Sequence, residues 1–200
     1  MKSAEIISIL ETISHKNNGI ILTKNAEAAG VSRAMLSKLS RKGTLSRIAV
    51  GQYVFASELG DEMLSLSLRS KLIVFSHESA LFLNGISERT PFEHTVTIPS
   101  SKKLGAAISE LCKVYYIKDE LVDLGKTVLN TPQGNPVPAY DIERTICDII
   151  RNRNRLSPET FLTSLKLYAA HSKKNLTKLN NYAEAFEITA VVRQYMELLI

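Results

Sequence analysis

Residues 23–55 constrain this chain more than any other stretch: two short helical patterns meet at a glycine turn and are followed by a glycine-tipped pair of β-prone runs. Thr23 reads as the N-cap of an alanine-rich helix over residues 24–29, which Gly30 ends. Ser32 reads as the N-cap of a second helix over residues 33–42, which Gly43 ends. With successive residues turned by about 100°, Leu36 and Leu39 fall on one side with Val31 behind them, while Arg33, Ala34, Ser37, Lys38 and Arg41 fan across the other. Residues 45–50 and 52–55 then read as a hairpin joined around Gly51. In this order the elements make the pattern of a winged helix-turn-helix, whose second helix enters the major groove of DNA.

The outward side of that second helix joins small residues to basic ones. Ala34 and Ser37 permit close approach to a groove, and Arg33 and Lys38 reach guanine O6/N7 or a phosphate. Ser32 stands at the helix start and Lys42 extends the basic edge. Arg47 and Gln52 fall near the tip of the wing, placed for the DNA backbone or minor groove. Double-stranded DNA is therefore the expected partner. A solvated basic helix beside an ordinary hairpin explains the charge alone but not the order of the elements.

The rest of the chain supplies a second unit. Residues 3–15 read as a helix with Ile6, Ile7, Leu10 and Ile13 at helical spacing, and residues 19–22 as a short strand. Residues 59–72 read as a helical bridge. Beyond it, residues 73–75, 93–98 and 114–117 are strand candidates, and residues 121–131 a strand pair. Residues 78–83 and 103–111 read as helices, and the proline-rich segment 132–138 as a loop. After Asp141, a good N-cap, the remainder reads as helical over residues 142–153, 158–171, 176–186 and 188–199. The expectation is a mixed α+β chain: a winged helix-turn-helix at 1–57, a connecting helix or linker at 58–72, and a mixed α/β domain with a helical C-terminal tail at 73–200.

Net charge is a modest +5 but unevenly placed. Residues 1–57 carry eight basic and three acidic side chains, residues 58–148 nine and thirteen, and residues 149–180 seven and one. Two basic blocks around an acidic middle point to two anionic partners or one extended one. The second block is Arg151, Arg153, Arg155, Lys166, Lys173, Lys174 and Lys178. It reads either as solvated helix ends or as a second functional surface.

The segment Gly30-Val-Ser-Arg-Ala-Met-Leu-Ser-Lys-Leu-Ser-Arg-Lys-Gly43, followed by Leu45-x-Arg47-Ile48 and Gly51-x-Tyr53, resembles the winged-helix domain of AbiEi-type antitoxins, the antitoxin-repressors of type IV abortive-infection systems. The second unit resembles the same family at Phe75-Ser-His-Glu-Ser-Ala-Leu81 with Asn84-Gly85, at Val96-Thr-Ile-Pro99, and at Pro136-Val-Pro-x-Tyr-Asp-Ile-Glu-Arg-Thr-Ile-Cys-Asp148. The resemblance implies a chain that binds inverted repeats in its own promoter, represses the operon, and counters a nucleotidyltransferase-type toxin without a stable complex between the two. It makes the second basic block a candidate surface for antitoxin action, or for further phosphate contacts. A regulator whose second domain binds a ligand or protein, with no toxin, is the alternative.

Other chemistries find little support. His77-Glu78 invites a metal or catalytic reading, but three suitably spaced ligands are missing nearby, and Ser76 as N-cap of a helix starting at His77 explains the segment. His15, His94 and His171 are scattered and expected to be exposed. Asp141 as an N-cap and an acid in the first turn account for two of Asp141, Glu143 and Asp148, leaving Glu143-Arg144 as a local ion pair or packing element. Cys112 and Cys147 are too few for a disulfide framework and read as core residues of a reduced, cytoplasmic protein. No apolar run is long enough to span a membrane. The expectation is no enzyme, no metal and no cofactor. Without a heptad seam, a monomer that binds paired DNA sites cooperatively is expected.

Overall fold

The computed structural model describes residues 3–87 and 89–199. The chain forms two compact units, Met1–Ser65 and Leu66–Ile200. The fold is mixed α+β, as expected.

In the first unit, α1 (Ser3–Lys16) buries Ile6, Leu10 and Ile13 along one stripe. β1 (Ile21–Leu22), α2 (Thr23–Ala28), α3 (Arg33–Arg41), β2 (Leu45–Ala49) and β3 (Gln52–Phe55) follow. The strand before α2 returns to the hairpin, giving an antiparallel sheet in the order β1-β3-β2. The α1 stripe closes with Ile21, Ala26, Val31, Leu36, Leu39, Leu45 and Tyr53 into one buried cluster. Thr23 is not the cap of α2 but its first residue; the cap position is Leu22, which has no side-chain bond to give. The Thr23 N–H donates instead to the Gly51 carbonyl at 2.9 Å, tying the helix start to the wing. α4 (Glu62–Arg69) carries the division between the units.

The second unit contains β4 (Val74–Phe75), α5 (His77–Leu83), β5 (His94–Pro99), α6 (Ala106–Ser109), β6 (Cys112–Ile117), β7 (Lys126–Asn130) and β8 (Pro136–Tyr140). A helical tail follows: α7 (Ile142–Arg151), α8 (Pro158–Ala170), α9 (Leu176–Ala185) and α10 (Thr189–Glu197). The sheet runs β6-β5-β4-β8-β7, with β5–β6 and β4–β8 parallel and the other pairs antiparallel. Three local expectations fail. Residues 121–131 hold one strand, β7, rather than a strand pair, and its partner is β8. The helix over 103–111 shortens to the single turn of α6, and the loop over 132–138 runs on into strand β8. Proline lacks the ladder N–H, yet β8 holds Pro136 and Pro138. Its neighbour β4 is two residues long and meets it at the single bridge Phe75–Ala139.

α7 is the core element of this unit, with Glu143 through Ile150 all buried. Side-chain caps start three tail helices: Asp141 accepts from the Arg144 N–H, Ser157 from Thr160 and Asn175 from Lys178. Glu143 and Arg144 do not pair with each other. Arg144 Nε meets Asp148 at 3.0 Å, one helical turn on, while Glu143 Oε1 accepts the Asn175 N–H at 2.9 Å. Cys112 and Cys147 are both buried. Among the described residues no helix is long and apolar enough to cross a membrane.

Candidate nucleic-acid interface

The turn between α2 and α3 is closed by backbone bonds. Val31 N–H donates to Ala26 C=O at 2.8 Å and Gly30 N–H to Glu27 C=O at 3.0 Å. Gly30 sits at φ +85° with open space around it, so the conformation rather than the room calls for glycine. Ser32 Oγ then accepts the Met35 N–H at 3.3 Å, starting α3. Leu36 and Leu39 turn inward, while Ser32, Arg33, Ala34, Ser37, Lys38, Arg41 and Lys42 are exposed.

Arg33 is held by a carboxylate that local sequence reading does not find. Its Nε lies 2.8 Å from Glu27 Oε1 and its Nη2 3.2 Å from Glu27 Oε2, a two-point pair across the turn. Both side chains remain in solvent, at 77% and 39% exposure. On the wing, β2 and β3 slip register between Arg47 and Ala49. Arg47 is exposed and donates from Nε to Ala49 C=O at 3.4 Å, and Val50 projects at the tip with 73% exposure.

Gln52 does not belong to this surface. It is 2% exposed; its Nε2 donates to the Ser65 carbonyl at 3.1 Å, and the Ser65 hydroxyl donates to its Oε1. β3 has buried residues at three successive positions, so both of its faces are covered and a place near the wing tip does not expose Gln52.

The second basic block does not converge on one patch. Lys178 lies at the N-terminal end of α7, 3.0 Å from Asp141 and 3.7 Å from Glu143. Arg151, Arg153 and Arg155 lie at the other end, roughly 15 Å away by the rise of a ten-residue helix. Arg151 pairs with Asp148 at 3.1 Å and covers the Phe186 ring, and Lys174 Nζ caps the Ala169 carbonyl at 2.7 Å. Arg153, Arg155, Lys166 and Lys173 are exposed.

His77 is a core group. The residue is 1% exposed at φ 47°, and its ring stacks on Tyr115 with centroids 3.5 Å apart. Arg155 sits 4.1 Å over the same tyrosine ring, necessarily on its other face. The Asn152 amide donates to Nε2 across 3.0 Å, which leaves Nδ1–H to donate to Ser76 Oγ, also at 3.0 Å. Burial, then the charges of Arg155, Arg144, Arg151 and Lys113, push the His77 pKa well below its ordinary value. It is a neutral ring in a fixed tautomer. Ser76 gives α5 no cap bond; Thr95 Oγ1 accepts the Ser79 N–H at 2.9 Å in its place. His94 and His171 are half-buried rather than exposed.

Helix, tight turn, outward basic helix and paired wing define the first unit as a winged helix-turn-helix. Residues 8–56 match the family described as transcriptional regulator, AbiEi antitoxin, so the first unit is similar to the regulator domain of those antitoxins. The RV2827C protein from Mycobacterium tuberculosis has a similar structure, with a TM-score of 0.66 at 16% identity over 96% of this chain and 81% of that one. That likeness is one of fold. The comparison with curated proteins found no match.

Proposed function

We propose that the chain is an autoregulating antitoxin: the first unit binds inverted repeats in its own promoter, and the second counters a nucleotidyltransferase-type toxin without a stable complex. The exposed, small-and-basic face of α3 carries the DNA-binding half. Ala34 and Ser37 let the helix approach base edges and Arg33 addresses them, while Lys38, Arg41, Lys42 and the wing residue Arg47 meet phosphates, with Ser32 at the helix start. The antitoxin half is supported by the match of residues 8–56 to AbiEi antitoxin regulators. The setting is cytoplasmic, and a monomer binds the paired repeats cooperatively.

Binding of a promoter duplex, followed by fluorescence anisotropy across a salt series, tests the first half. Four phosphate contacts give a log–log slope of about −3.6, and each of Lys38→Ala and Arg41→Ala reduces its magnitude by about 0.9. A flat salt response overturns the DNA-binding reading. Rescue of cells from a nucleotidyltransferase-like toxin encoded beside this chain tests the second half.

A further inference from the structure

We propose that Glu27 is a positioning residue that turns Arg33 from a phosphate-binding cation into a reader of guanine; this rests on the DNA-binding reading above. The geometry makes a specific division of the guanidinium. A guanidinium offers five N–H donors in a rigid fork. Glu27 takes the side of that fork formed by Nε and Nη2, at 2.8 and 3.2 Å. The other side stays free: Nη1 and the second hydrogen of Nη2 present two parallel N–H groups along the end of the side chain. That end-on pair has the spacing needed for O6 and N7 of one guanine in the major groove. Arg33 is the first residue of α3, the part of a recognition helix that reaches base edges.

The pairing also has an electrostatic consequence. A carboxylate beside the DNA repels phosphates, so an acidic side chain at this position lowers affinity for any duplex unless it serves something else. Coupled to Glu27, Arg33 carries little net charge and is a poor phosphate ligand, but its free donors are fixed in direction, which favours a contact with strict geometry. Glu27 on the turn side of α2 therefore trades general affinity for discrimination.

The test uses the full chain and a duplex spanning its promoter, with guanines replaced one at a time by 7-deazaguanine, which lacks the N7 acceptor. In the wild type, one replacement per half-site weakens binding at least about fivefold. In Glu27→Gln, binding to unrelated duplexes tightens, while the penalty at that guanine shrinks to less than about twofold. Arg33→Ala abolishes the penalty in either background, and its log–log salt slope stays within about 0.3 of the wild type, unlike Lys38→Ala. Melting of Glu27→Gln at the wild-type temperature confirms that the exposed change leaves the fold intact. The proposal is overturned if Glu27→Gln tightens all duplexes by one common factor with the guanine penalty unchanged, or if no guanine replacement costs the wild type affinity. A wild type that binds no promoter DNA overturns the DNA-binding reading itself, a result distinct from either.

Discussion

At the scale of single residues, Gln52 and His77 show how burial reverses what a side chain suggests. Gln52 has a polar tip and a place beside the wing turn, but its amide is matched at both ends by Ser65 in a buried site. Gln52→Ala leaves the buried Ser65 hydroxyl without its amide partner, so it costs about 1–3 kcal/mol of first-unit stability. Urea unfolding should show that loss, while promoter affinity below the transition stays unchanged. The partner lies thirteen residues on, beyond any local pattern, and for that reason the site was not legible in the sequence. The pair between Glu27 and Arg33 escaped for a related reason: a separation of six crosses a turn and matches no helical spacing. His77 makes a second prediction. Its folded pKa lies below the ordinary 6.5, so below that pH the unfolded chain binds more protons than the native one. Stability is then fully present above pH 6.5 and falls as the pH drops through and below it, by at most about 1.4 kcal/mol per pH unit. Urea midpoints between pH 7.5 and 5.5 should slope in the wild type and flatten in His77→Asn, whose side chain tolerates the positive φ.

At the scale of elements, the helix-turn-helix was legible because its signals are local and agree: Ser32 caps, Gly30 turns, and Leu36 and Leu39 face inward. The second unit was legible in outline, since most of its helices and strands read correctly, but β8 was hidden by its prolines. What holds the outline together is tertiary. Arg144 is 0% exposed; its Nη1 donates to the Leu121 and Leu124 carbonyls, and its guanidinium lies 3.9 Å over Tyr140. Gly125, in the turn before β7, allows this: a Cβ there would stand 2.5 Å from Arg144 Cβ, at φ +74°. Gly125→Ala therefore meets both a steric clash and an unfavourable backbone, and should destabilise the second unit by about 2–5 kcal/mol. Gly85→Ala shares the positive φ but has open space, so only the backbone cost of about 1–2 kcal/mol applies. Thermal melts of the two variants side by side separate the clash from the conformation.

At the scale of the whole molecule, each unit has its own buried cluster, one built on α1, α3 and the wing, the other on α7 and the helical tail. The charges that the proposed function assigns to DNA all lie in the first unit, on residues whose side chains face solvent. Replacing Arg33, Lys38 and Arg41 by alanine removes exposed groups from a helix that alanine suits, so folding stability should move by less than about 1 kcal/mol. DNA affinity should fall much further: two phosphate contacts and one base contact go together, and at physiological salt such losses compound. The triple variant, expressed from an unrelated promoter, should therefore fail to repress a reporter driven by its own promoter while still protecting cells from the neighbouring toxin. Reporter output and survival measured in the same cultures, with protein abundance checked by immunoblot, give both halves at once. Repression lost with protection kept means that the second unit carries the antitoxin action. If the abundant, folded triple variant protects no better than an empty vector, antitoxin action runs through the α3 surface, and the division of labour proposed for the two units is wrong.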